Sequence, residues 1–124
     1  MSQKKTLTKA EEQIMQVLWQ QQEAFLKDVV EAIPPPQPHP NTVATLLKIL
    51  IEKGFVTAAT IGRNNLYTPT VSRDAYSAQT LSQVVGNYFD GSYKTAVSFL
   101  VHQKQLSISD LELLLTQLKQ KEAP

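Results

Sequence analysis

The sequence predicts a mainly α fold with a small β-hairpin: a winged helix-turn-helix domain over residues 1–71 and a helical domain over residues 72–124. Three observations carry this. Apolar residues recur at helical spacing in three successive stretches before Gly54. Two short strand-like segments, FVTAATI and LYTPT, then flank the turn-forming residues GRNN. After Ser72 the helical period returns and persists, with more leucine than one core-facing stripe needs.

Each element has its own signal. Thr8-Lys9-Ala10-Glu11 fits a capping box, in which Thr8 and Glu11 satisfy each other's backbone donors. Ala10, Ile14, Val17 and Leu18 then form a buried stripe, widened by Met15 and Trp19. A second helix spans about Phe25 to Ile33, with Phe25, Val29, Val30 and Ile33 inward. It stops at PPPQPHP, because a residue preceding proline is pushed out of the helical region. The third helix, HPNTVATLLKIL and on to Lys53, ends at Gly54. Its inner face is Val43, Leu46, Leu47, Leu50 and Ile51. Its outer face is Asn41, Thr45, Lys48 and Glu52, with Thr42 and Ile49 on the flank. Pro69 makes the second strand an edge or ends it early. Ser72 caps a fourth helix reaching about Phe89, and Asp90-Gly91-Ser92 breaks it. A fifth helix covers about Tyr93 to Gln103, and Ser107 caps a sixth from about Ile108 to Lys121.

Composition excludes several classes of function. The net charge of the 124 residues is +1. Residues 1–71 hold seven Lys/Arg against six Asp/Glu, and residues 72–124 hold five against five. Nucleic-acid binding therefore has to come from locally placed groups and not from bulk charge. With no cysteine there is no disulfide, thiol nucleophile or thiolate metal site. His39 and His102 are far apart and make no metal site. No catalytic constellation stands out, so the expectation is a protein that is not an enzyme, with no cofactor and no small-molecule substrate. The N-terminus lacks the apolar stretch of a signal peptide, and no apolar run is long enough to span a membrane. A cytoplasmic protein is expected.

The outer face of the third helix is the most informative feature. Asn41, Thr42 and Thr45 are short and polar, Lys48 is cationic, and the first two turns hold no acid. Such a face suits the major groove of DNA, where Asn pairs with adenine edges, Thr reaches bases by hydroxyl or methyl, and Lys reaches guanine or phosphate. The alternative is that Asn41 caps the helix and its side chain is occupied there. The hairpin tip adds Arg63 on a projecting loop, placed to meet phosphate or a narrow minor groove.

The C-terminal half raises a different demand. About fifty residues bury little core alone. Yet Leu111, Leu113, Leu114, Leu115 and Leu118 surround much of one helix. Ala96, Val97, Phe99, Leu100 and Val101 do likewise on another, and Tyr88 and Phe89 add aromatic surface. The expected partner is a second copy, through Tyr88, Phe89, Val97, Leu100, Leu111, Leu114, Leu115 and Leu118. The alternatives are that these helices fold back on the first domain, or that the whole winged helix serves protein–protein contact without DNA.

LTKAEEQIMQVLW, NTVATLLKILIEKGFV and GRNNLYTP resemble, in order and spacing, the penicillinase-repressor family of bacteria, the BlaI/MecI/CopY type. YFDGSYKTAVSFLV and LSISDLELL continue the resemblance, from Leu7 to about Leu118. It implies a dimeric winged-helix repressor on double-stranded operator DNA. Its recognition-helix positions fall on Asn41, Thr42 and Thr45 and its wing position on Arg63, to which the helix geometry adds Lys48. The family commonly has a basic residue where this chain has Asn41. In antibiotic-responsive members a membrane sensor peptidase system leads to cleavage between Asn and Phe in the dimerisation domain. The matching bond here is Ser98–Phe99, which keeps the Phe and not the Asn. Copper-responsive members bind metal through cysteines, which this chain lacks.

Overall fold

A computed structural model describes residues 6–122. Helix α1 (Lys9–Gln21) opens on the expected capping box: the Glu11 N–H donates to Thr8 Oγ1 at 3.2 Å, and the Thr8 N–H donates to Glu11 Oε1 at 2.9 Å. Ile14, Met15, Val17 and Leu18 are buried, as their spacing requires. Ala10 is exposed, contrary to expectation. The buried position of that first turn is Glu11, which is 3% exposed. Its Oε1 accepts from Lys53 Nζ at 2.7 Å, an ion pair that joins the start of α1 to the end of the third helix.

Strand β1 (Ala24–Phe25) follows, a pairing that the sequence reading did not foresee. Helix α2 (Leu26–Ala32) buries Val29, and Ile33 beyond it is buried too. The Phe25 N–H donates to the Asp28 carboxylate at 3.1 Å. At the other end the Gln37 amide donates to the carbonyls of Glu31 and Ile33, two acceptors that the helix leaves open. Helix α3 (Pro40–Glu52) buries Val43, Leu47 and Leu50 completely. Ile51, expected inside, is 38% exposed. It lies about 80° around the helix from Val43, outside the stripe that α1 and α2 cover. α3 ends in a Schellman motif: Gly54 has φ +84, its N–H donates to Ile51 O, and the Phe55 N–H donates to Leu50 O.

Strands β2 (Val56–Ile61) and β3 (Asn64–Pro69) form the hairpin, with Ile61 opposite Asn64. The sheet has three strands in the order β1-β3-β2, so β3 is central and not an edge. Pro69 is tolerated because β1 covers only Leu66 and Tyr67, and Pro69 is the last residue of β3. The core joins α1, α2 and α3 to Phe55, Val56 and Tyr67.

Beyond the hairpin, α4 (Arg73–Tyr88) starts where the Ser72 hydroxyl accepts from the Ala75 N–H at 3.0 Å. Its Tyr76 packs edge-on against Phe55 at 5.6 Å and lies 6.1 Å from Trp19. The Tyr76 hydroxyl accepts from the Leu7 N–H at 2.9 Å, and Trp19 Nε1 donates to Val71 O at 2.8 Å. These contacts explain why the compact division falls between Thr80 and Leu81, beyond the expected boundary at Val71. Trp19→Phe leaves the Val71 carbonyl without that donor. It is expected to cost about 1 kcal/mol, read as a lower urea midpoint at unchanged m.

The second unit, from Leu81 on, holds the rest of α4 with α5 (Tyr93–His102) and α6 (Ile108–Glu122). Asp90 and Gly91 both take positive φ where α4 breaks, and Ser92 caps α5 by accepting from the Thr95 N–H. Ser107 caps α6 reciprocally with Asp110, whose carboxyl is held below its ordinary value by the Ser107 N–H and hydroxyl.

Candidate nucleic-acid interface

The packing of α3 decides which side chains it presents. Val43, Leu47 and Leu50 point into the core, so Asn41, Thr42, Thr45, Lys48 and Glu52 are exposed and Ile49 is half-buried. Asn41 does not cap the helix. The cap is His39, whose Nδ1 accepts from the Asn41 N–H at 3.0 Å, and Pro40 occupies the first helical position. The Asn41 side chain is thereby left uncommitted. The Thr45 hydroxyl donates to Asn41 O at 3.0 Å, which leaves its oxygen free to accept on an exposed side chain. Among the described residues the one ion pair is Glu11–Lys53, so Lys48 and Arg63 have no carboxylate partner.

The wing is built by a two-residue turn. Ile61 pairs with Asn64, leaving Gly62 and Arg63 at the tip. Gly62 has φ +64 while Arg63 has a negative φ, the pattern of a type II′ hairpin, which demands glycine first. Asn64 and Asn65, expected in the turn, belong to β3. Asn65 Oδ1 accepts from Thr60 Oγ1 at 3.2 Å, a cross-strand bond that stiffens the stem. Arg63 is exposed and projects from it.

A groove of about 770 Å³ runs between the wing, α2 and the start of α3. Lys27 and Arg63 both line it, together with Asp28, Gln37, Asn64 and Asn65. Lys27 was not singled out in the sequence, because only the fold brings the start of α2 beside the wing. His39 opens the third helix in the sequence without a capping role assigned to it. The signal that would have found it is the proline that follows, since a proline at the first helical position places the cap one residue earlier.

In the second unit Tyr88, Val97, Leu100, Leu114, Leu115 and Leu118 are exposed, while Phe89 and Leu111 are half-buried. The Phe89 and Phe99 rings lie 5.3 Å apart. Among the described residues of this unit only Val85 is a buried side chain. Ser98 and Phe99 sit inside α5, and the Ser98 carbonyl is 2.8 Å from His102 Nδ1.

An exposed helix seated on two others, with a β-wing beside it, defines a winged helix-turn-helix protein. The chain belongs to the penicillinase repressor family, whose model matches residues 7–120. It is 24% identical over 109 residues to the penicillinase repressor of Bacillus licheniformis, covering 87% of this chain and 85% of that one. To the methicillin resistance regulatory protein MecI of Staphylococcus aureus it is 23% identical over 109 residues, with 87% and 89% covered. The solution structure of the DNA-binding domain of the repressor BlaI is similar, at 27% identity and a TM-score of 0.53, over 61% of this chain and 94% of that domain. Bacillus licheniformis BlaI in complex with the blaP half-operator is also similar, at 27% identity, a TM-score of 0.50 and the same coverage.

Proposed function

We propose that this chain is a transcriptional repressor that binds operator DNA as a homodimer. α3 enters a major groove with Asn41, Thr42, Thr45 and Lys48 against base edges and phosphates, while Arg63 meets the flanking backbone or minor groove. The observation that carries this is the exposed α3 face, free of acid through Lys48, on the same unit as a projecting wing. Membership of a family whose relative BlaI has been solved on a half-operator supports it.

Pairing of two copies is supported by the second unit, which exposes large apolar side chains and buries only Val85 among its described residues. A second copy covers that surface, and twofold symmetry sets two half-sites about one helical turn apart. Repression is steric, by occupation of a promoter in the cytoplasm. Relief comes by proteolysis under a membrane sensor peptidase system, for which Ser98–Phe99 is the bond that matches the family's cleavage position, or by another signal. Because that bond lies inside α5, the helix must open locally before a protease can take it as extended chain.

The test is a gel shift on the DNA upstream of the chain's own gene. Thr45→Ala is expected to lower specific affinity about ten-fold and to relax base preference. Arg63→Ala is expected to weaken binding to all sequences alike and to reduce the salt slope by about one. The near-neutral charge is the best support for the rival reading of a protein-binding winged helix, which survives if no DNA is bound specifically.

A further inference from the structure

We propose that His39 is a positioning residue for the base-reading end of α3, an inference that rests on the DNA-binding reading above. α3 begins with Pro40, which has no N–H. The next three backbone donors all end on His39. The Asn41 N–H goes to the imidazole Nδ1 at 3.0 Å. The Thr42 and Val43 N–H groups go to the His39 carbonyl at 2.9 and 3.2 Å. One residue thus satisfies every donor of the first turn. Nδ1 accepts only while it carries no proton, so this bond assigns the imidazole proton to Nε2.

The residues held in this way are the ones that face DNA. Asn41 and Thr42 follow the cap directly, and Thr45 is tied to the same turn through its bond to Asn41 O. Without the cap the turn frays, and docking must restore its order at the expense of affinity. Histidine acts here only through Nδ1. An asparagine oxygen reaches the same donor, so His39→Asn keeps the cap and removes the ring.

Fluorescence anisotropy on the upstream duplex and on a scrambled duplex tests this with wild type, His39→Ala and His39→Asn. His39→Ala is expected to bind the upstream duplex about five-fold more weakly, the equivalent of one N-cap, with scrambled binding unchanged. His39→Asn is expected to stay within roughly two-fold of wild type. His39→Ala binding like wild type overturns the proposal, as does His39→Asn binding as weakly as His39→Ala. Amide hydrogen exchange at Asn41 reads the cap without DNA. Exchange is expected to quicken in His39→Ala and to recover in His39→Asn, and an unchanged rate refutes the cap. A wild-type protein that does not prefer the upstream duplex sinks the DNA-binding reading, and this inference with it, while the exchange result still reports on the cap.

Discussion

Leu114→Asp is expected to turn a dimer into a monomer and to weaken binding to a full operator about a hundred-fold. Leu114 lies on α6 and is 48% exposed in the single chain, with Leu115 and Leu118 exposed on the same helix. In the proposed dimer that surface is buried, and a carboxylate placed there would lose its water without gaining a partner. The loss in DNA binding has a separate cause. Two joined wings bind the second half-site as an intramolecular event, and a monomer forfeits that local concentration. Sedimentation measures the first effect and a titration on full and half operators the second. The half-operator affinity is expected to be unchanged, because the winged unit keeps its own core. A variant that still sediments as a dimer places the interface elsewhere.

Lys53→Ala is expected to destabilise the winged unit by about 2 kcal/mol at neutral pH, less than for a fully buried pair because Lys53 is 27% exposed. Burial by itself raises the Glu11 carboxyl. The hydrogen bond from Lys53, those from Thr8 and the Lys53 charge outweigh it, and the carboxyl lies below its ordinary value. A carboxyl lowered on folding adds stability at pH values above its unfolded value, about 4.3. That stability is lost as the pH falls through the folded value, which lies lower. In Lys53→Ala two of the lowering causes are gone, the carboxyl rises from its wild-type position, and its acid-induced loss of stability shrinks. The two proteins are therefore expected to differ most near neutrality and to converge towards acid, as followed by urea unfolding across pH. A constant difference at all pH values would show that the ion pair is not its source.

Local signals in the sequence were sufficient for much of the fold. Thr8 and Glu11 announce α1, Gly54 ends α3, Gly62 turns the hairpin, and Ser72 and Ser107 start α4 and α6. Each rests on chemistry within a few residues, where a cap or a positive φ admits few residue types. The exposed positions of α3 were legible for a related reason: a strong apolar stripe dictates which side faces out. The hairpin tip was misjudged by two residues, because Asn64 and Asn65 suit both a turn and a strand end, and only the register decides.

The sequence by itself determined the order of the six helices and the hairpin, the outward face of α3 and the surplus of apolar surface after Ser72. Only the tertiary structure decided that Ala24–Phe25 pairs with β3, that Tyr76 draws the start of α4 into the winged unit, that Ile51 stays outside, and that Glu11 meets Lys53. Periodicity and capping act over one or two turns of chain, so they can be read along it. Strand pairing, ring packing and ion pairs join residues tens of positions apart, and they exist only where the closed core brings them together.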